Sequence, residues 1–431
     1  MLILSLALVL SPIIEAVAST TTFQPLGIPF LNPVVTAPGF SAQVLFSNLT
    51  TPRGITFDGA GNLLVVERGL GVTAFTEARN GTGWERTIVI SNPNFTQGIQ
   101  VDGNNLYVST AGQVLLYDYN AQQKSITGNP TTIIDDIPPD GDLTTHTLQL
   151  QKQGGTTNIL IASGPFTNID PTARDPSSGR SQIRSLNLDS PQAIPQSYFD
   201  GELIAFGIRN PAGFAFSTTS PSKILYVVEN GASIDNTTGL TEMFVNDNPA
   251  DELEKVFLDL PPKTYGFPDC TTLWNPFADP IGDPQFTKLP RGAQFSLLLE
   301  PGRGNKFCNN KTNNEPPILS FQAHSVPLDI KFYEPQSNVS VNGFPLKFKD
   351  DAFVSFHGSF NRVPPTGYGV IHIPFGDNGP SSSNYTFIVQ VANLNPCPGQ
   401  CIRPVGLAFG KDGRLFVSSD SSGELFVVER V

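Results

Sequence analysis

The sequence predicts an all-β protein, a six-bladed β-propeller, and three observations carry the prediction. One strand–turn–strand unit recurs six times, and its first two copies start about 44 residues apart, at Gly54 and Gly98. The 431 residues include 39 glycines and 38 prolines, while only 15% are charged. That composition suits many short strands joined by tight turns, not long helices. A lone hairpin cannot bury its apolar face. Hairpins repeated at such a spacing pack radially as blades, which protects most strand edges and leaves a central channel.

From the N-terminus, an apolar stretch from Leu2 to Ile14 precedes Ala16-Val17-Ala18, the small-x-small pattern of a signal-peptidase site. The stretch is too short to span a bilayer. Residues 1–18 read as a secretory leader and residues 19–431 as a single propeller domain. Seven Asn-x-Ser/Thr sequons, at Asn48, Asn80, Asn94, Asn236, Asn310, Asn338 and Asn384, agree with export to the extracellular space. So do four cysteines. Cys397 and Cys401 are close enough to staple one loop, which leaves Cys270 to pair with Cys308. No Cys-x-x-Cys pair or adjacent His supports a metal site instead.

The repeat itself starts at Gly54-Ile-Thr-Phe-Asp-Gly-Ala-Gly-Asn-Leu-Leu-Val-Val and returns as Gly406-Leu-Ala-Phe-Gly-Lys-Asp-Gly-Arg-Leu-Phe-Val-Ser. Gly98-Ile-Gln-Val with Leu106-Tyr-Val-Ser is a shorter copy. Gly213-Phe-Ala-Phe with Ile224-Leu-Tyr-Val-Val is a fourth. Residues 148–162, and Leu328-Asp-Ile-Lys-Phe-Tyr leading to Ala352-Phe-Val-Ser-Phe, are looser versions. The gap from Asn230 to Ser325 is expected to hold elaborated loops. The early strand Phe40-Ser-Ala-Gln-Val-Leu-Phe is expected to pair beside Gly423-Glu-Leu-Phe-Val-Val and close the ring.

A propeller does not specify a reaction; the chemistry must come from residues facing the channel. Arg53, Gln97, His146, Arg209, Asn210, His324, His357, Asn361, Arg362 and Arg403 all stand at or just before repeat strands. His372, inside Val370-Ile-His-Ile, reads as an ordinary strand residue. Four arginines converging on one axis call for an anion to neutralise them. Arginine grips planar carboxylates or phosphates bidentately. Private pairing of each arginine with an acid on a neighbouring blade is the competing reading. A net charge of −12 argues against nucleic acid or an anionic membrane as partner.

Arg209-Asn210-Pro211-Ala-Gly-Phe, His357-Gly-Ser-Phe-Asn-Arg362 and Arg403-Pro-Val-Gly-Leu-Ala-Phe resemble the soluble quinoprotein glucose and sorbosone dehydrogenases. Tyr265-Gly-Phe-Pro-Asp-Cys270 and the four cysteines are most similar to their fungal secreted branch, the PQQ-dependent pyranose dehydrogenases. The resemblance implies a six-bladed propeller with PQQ across its axis and calcium beside it. It implies that His146 is the general base for a sugar hydroxyl while hydride moves to the quinone. Arg209 and Asn210 would hold the quinone oxygens, and Arg403 a PQQ carboxylate. His357 falls where a bacterial relative carries a lysine over the quinone, and Asn361 and Arg362 share its loop as cofactor contacts. Arg53 joins the cofactor set by position only, and Gln97 and His324 face the substrate. The Gly231 and Ala232 carbonyls resemble a loop that binds calcium through hard oxygen donors. No cytochrome domain or cellulose-binding tail is recognised, so a separate quinone, haem protein or secreted copper oxygenase is expected to take the electrons. The main rival is a calcium-dependent lactonase or esterase propeller, whose channel acids are absent from this set. A non-catalytic recognition propeller would leave the arginines without a purpose.

Overall fold

The computed structural model describes residues 21–431, apart from 190–192, 220–222, 236, 238, 337 and 338. The expected leader and the sequons at Asn236 and Asn338 fall outside these residues. The asparagines of the other five sequons are all exposed. No helix of the described residues is long and apolar enough to cross a membrane.

Six sheets form the blades, and each innermost strand is one of the six repeat copies. These inner strands are Pro52–Phe57, Phe95–Asp102, Leu148–Gln153, Pro211–Phe216, Pro327–Phe332 and Pro404–Phe409. They define blades one to six in that order. Ring closure follows the expected pairing: Phe40–Phe46 adds antiparallel to Glu424–Arg430, the third strand of blade six. The gap after Asn230 is more than loops. It supplies the outer strands of blade four, Asp251–Phe257 and Leu319–Phe321. It also carries a small unit with its own core of Phe244, Phe267, Phe286 and Phe295.

The repeated glycine has a steric cause. A Cβ on Gly54 would lie 2.1 Å from the Gln97 carbonyl, and one on Gly406 would lie 2.5 Å from the Arg53 carbonyl. Inner strands of adjacent blades approach so closely here that only glycine fits. The recurring Val-Ser of the second strands is explained alongside it. Ser109 Oγ accepts from Gly98 N and donates to the His146 carbonyl of the next blade. Ser355 bridges Asp329 N to the Val405 carbonyl, and Ser418 bridges Gly406 N to the Arg53 carbonyl, in the same way. A β-bulge interrupts most inner strands near their starts, as between Pro52 and Ile55 and between Pro404 and Leu407. Such bulges re-aim side chains.

Both expected disulfides are formed, Cys270–Cys308 and Cys397–Cys401. The first closes the longer loop, with a sequence separation of 38. Replacing Cys270 and Cys308 by Ser is expected to remove about 2–4 kcal/mol of stability, and the shorter pair less. Denaturant unfolding of the two double variants measures the difference.

Candidate active site

A cavity of about 440 Å³ opens where the inner strands of blades four and five begin. Arg209, Ala232, Asp251, His324, Phe360 and Asn361 form much of its wall. The chain folds this way because Asp251 fastens two loops together. Its carboxylate accepts from Gly231 N at 2.8 Å and from Val326 N at 2.7 Å. Burial pushes that carboxyl up to about 6, against the two backbone N–H groups that favour its charged form. The staple holds His324 and Val326 at φ of 65° and 56°. Non-glycine residues rarely adopt that backbone, and such strain gathers at functional sites.

One belt of hydrogen bonds touches all six blades. His357, after the second strand of blade five, donates Nε2–H to Asp420 Oδ1 at 2.9 Å. Asp420, on blade six, accepts from Arg53 Nη1 of blade one at 2.6 Å. Arg53 Nη2 donates to Gln97 Oε1 of blade two at 2.6 Å. Gln97 Nε2 reaches Thr147 Oγ1 before blade three at 3.1 Å and the Ala212 carbonyl of blade four at 3.2 Å. Burial alone would raise the Asp420 carboxyl. The hydrogen bond and charge of His357, then Arg53, outweigh it and hold the group well below the usual carboxylate range.

The four arginines divide into two pairs. Arg53 is matched to Asp420, and Arg362 lies 2.6 Å from Asp247. For these two, private pairing holds: each has donors committed to a protein acid. Arg209 donates only to neutral acceptors: the Asn168 carbonyl and side chain and the Asn230 and Gly231 carbonyls. Arg403 donates to the His357 and Gly358 carbonyls at 3.0 and 2.8 Å. Neither forms an ion pair among the described residues. Burial pushes both guanidinium groups below their ordinary value.

Other expectations shift with the geometry. Gln97 spends its amide on the belt. Asn210 does not line the cavity; its Nδ2 donates to Asn230 Oδ1 at 2.7 Å and so braces a wall residue. His146 is fully buried, with Nδ1 2.9 Å from the Ala162 carbonyl and Nε2 2.7 Å from the Ala111 carbonyl. Burial pushes its imidazole below the ordinary value, against those two carbonyls. Both ring nitrogens thus face backbone carbonyls, and His146 is not among the residues that line the cavity. His324 does line the cavity, with Nε2 tied to the Val245 carbonyl at 3.0 Å. Asn361 lines it as well, and its buried Oδ1 has no partner. His372 is the strand residue expected, bonded to Asp351 at 2.7 Å. Sequence reading missed Asn168 and Asp420, which hold Arg209, Arg53 and His357 from other loops.

Arg209 and Arg403 make no direct ion pair among the described residues, and on that count the donor set fits a polyanionic cofactor such as PQQ. For calcium the fit is partial. The Ala232 carbonyl accepts no hydrogen bond among the described residues, but the Gly231 carbonyl accepts from Arg209 at 3.1 Å.

Fold and site together define a six-bladed propeller with a polar cavity lined by Arg209 and by Asp142, Asp235 and Asp251 where the inner strands of blades four and five begin. The chain belongs to the TrAA12-like family, whose model matches residues 34–431. It is 33% identical to a pyrroloquinoline quinone-dependent sugar dehydrogenase of Hypocrea jecorina, over 96% of this chain and 93% of that one. It is 31% identical to a pyrroloquinoline quinone-dependent pyranose dehydrogenase of Coprinopsis cinerea, over 92% of this chain but only 54% of the relative. Among solved structures, the calcium structure of a Trichoderma reesei carbohydrate-active enzyme of family AA12 superposes with a TM-score of 0.82. It shares 32% identity, over 95% of this chain and 99% of that one. The holo PQQ domain of the Coprinopsis pyranose dehydrogenase gives 0.79 at 29% identity, over 93% and 97%.

Proposed function

We propose that this protein is a secreted, PQQ-dependent sugar dehydrogenase, an oxidoreductase acting on a sugar CH–OH group. The observation that carries the reading is the pair Arg209 and Arg403, guanidinium groups that make no direct ion pair among the described residues and donate only to neutral acceptors. Such guanidinium groups would gain charge-assisted hydrogen bonds from a bound polycarboxylate. PQQ, when bound, supplies a quinone that accepts two electrons as hydride. The chain's residues do the rest. Arg209 and Arg403 hold anionic oxygens. Asn210 and Asn168 keep Asn230 and Arg209 in place. Asn361 and His324 present polar atoms to a sugar, and Phe360, 69% exposed at the cavity, offers an apolar face to a pyranose ring.

Calcium belongs to this proposal through the Gly231 and Ala232 carbonyls, with Arg209 turning from Gly231 toward the cofactor. PQQ is expected to bind tightly with calcium present and at least about tenfold more weakly in excess chelator. Calorimetric titration decides it, and equal affinity under both conditions would remove calcium from the site. The electron acceptor is proposed to be a separate molecule, a quinone, a haem protein or a secreted copper oxygenase. The lactonase alternative would draw on Asp142, Asp235 and Asp251, which line the cavity beside Arg209. The one cluster of three potential metal-ligating acids among the described residues, Glu229, Glu252 and Glu254, is buried in blade four and lines no part of the wall.

The experiment is direct. Protein reconstituted with PQQ and calcium should reduce a dye in proportion to added pyranose, and protein without PQQ should not.

A further inference from the structure

We propose that the Cys397–Cys401 disulfide is a positioning element of the active site. It sets Arg403 and, through Arg403, the loop that carries Phe360 and Asn361 into the cavity. The inference rests on the dehydrogenase reading above only where it concerns PQQ; the mechanical link stands on hydrogen bonds and packing.

The bridge joins cysteines 4 positions apart. So short a loop restrains the unfolded chain far less than Cys270–Cys308, with its sequence separation of 38. What it does lies in the folded chain. Residues 392–403 connect Thr386–Val391, near the outer edge of blade five, to Pro404, where the inner strand of blade six begins. This connection must run from the rim to the axis. Pro398, Gly399 and Gln400, between the cysteines, are exposed. Both cysteines are buried, in one apolar core with Ile402 and Tyr368. The bridge thus pins an exposed connection to the core just before Arg403.

Three hydrogen bonds then seat the segment on the turn after Leu415–Ser419, the second strand of blade six. Ser421 Oγ donates to the Cys401 carbonyl at 3.1 Å, and Arg403 N donates to Ser419 Oγ at 2.9 Å. Asp420 N donates to the Arg403 carbonyl at 3.3 Å. From this seat the Arg403 side chain reaches across to blade five. Its guanidinium lies 5.8 Å from the centre of the Tyr368 ring and donates to the His357 and Gly358 carbonyls. Tyr368 Oη donates to the Ser359 carbonyl, and a Cβ on Gly358 would lie 2.4 Å from the Tyr368 ring. Arg403 and Tyr368 together therefore fix residues 357–359. Phe360 and Asn361, the next two residues, line the cavity. Neither cysteine belongs to a blade strand, so opening the bridge loosens the root of Arg403 and leaves the strand ladders intact.

The test compares the parent with two double variants, Cys397→Ser with Cys401→Ser and Cys270→Ser with Cys308→Ser. Hydrogen exchange is followed on cofactor-free protein, and PQQ affinity and turnover are measured with calcium present. Removing Cys397–Cys401 should speed exchange in residues 357–361 and 401–403 by about tenfold or more, because local opening then costs less. The same variant should bind PQQ about tenfold to a hundredfold more weakly, the worth of one charge-assisted hydrogen bond. Its kcat at saturating PQQ should stay close to the parent's, since the bridge acts on affinity rather than on the reacting atoms. Removing Cys270–Cys308 should cost more stability yet leave the exchange of those segments and PQQ affinity near the parent's. Ser421→Ala takes the hydroxyl from the Cys401 carbonyl and keeps the bridge, so it tests the same link even where the serine pair does not fold. It should weaken PQQ by about twofold to tenfold. Exchange in 357–361 and 401–403 that matches the parent overturns the proposal. So does a loss of PQQ affinity that the Cys270–Cys308 variant shares in full, which would mark a general loosening. A parent that binds no PQQ overturns the dehydrogenase reading instead, and the exchange comparison, made without cofactor, still decides the mechanical link.

Discussion

Arg209→Ala combined with Arg403→Ala is expected to weaken PQQ binding by about a hundredfold to ten-thousandfold. Each guanidinium would lose charge-assisted hydrogen bonds to an anion, individually about 1.5–3 kcal/mol, and 1.4 kcal/mol is a factor of ten in affinity. Neither arginine makes a direct ion pair among the described residues, so its removal breaks no salt bridge and the fold should persist. Arg403→Ala alone should regain much of the turnover at high PQQ, because it acts on affinity rather than on the reacting atoms. Arg362→Ala is the control: it unpairs Asp247 but should leave PQQ affinity within a few-fold. Calorimetry on the three variants, at one calcium concentration, measures the set.

Arg53→Ala is expected to be the most destabilising arginine substitution, at roughly 3–5 kcal/mol, the range for breaking a buried ion pair by removing one partner. The loss reaches past the pair, because Arg53 links Asp420 of blade six to Gln97 of blade two. The sign with pH follows from Asp420. Its folded value lies below its unfolded one, so its contribution is present above about pH 4 and is lost as pH falls through the folded value. Without Arg53 the folded value rises, and acid unfolding should begin at a higher pH than in the parent. Chemical unfolding at a series of pH values measures both effects. Unfolding indistinguishable from the parent across the series would mean that the belt contributes no stability.

The fold was legible because its cause is local and repeated. Gly54, Gly98, Gly213 and Gly406 mark close approaches between blades, and the Val-Ser of three second strands marks the serine bridges. The pairing of Phe40–Phe46 with the last blade could be read from two complementary apolar strands at the chain ends. The site was legible only as a list of residues near the axis. Sequence placed Arg53 and Arg209 alike, since both stand just before inner strands. What separates them is Asp420, which lies 367 positions from Arg53 and meets it only through ring closure. His146 shows the same limit. Its strand was identified, but the direction of a side chain just before an inner strand depends on local backbone geometry. His146 turns into the carbonyls of Ala111 and Ala162 rather than into the cavity. Asp251 carries no motif, because its role is to accept two backbone N–H groups from loops distant in sequence.

The most direct test of the account is a titration of PQQ into the calcium-loaded protein with excess pyranose and a dye acceptor, following the rate of dye reduction. The account predicts no rate without PQQ and saturation at one PQQ per chain. It also predicts a curve for Arg209→Ala with Arg403→Ala displaced to much higher PQQ. Sugar-dependent reduction that needs no PQQ, or a double variant that saturates where the parent does, would contradict it.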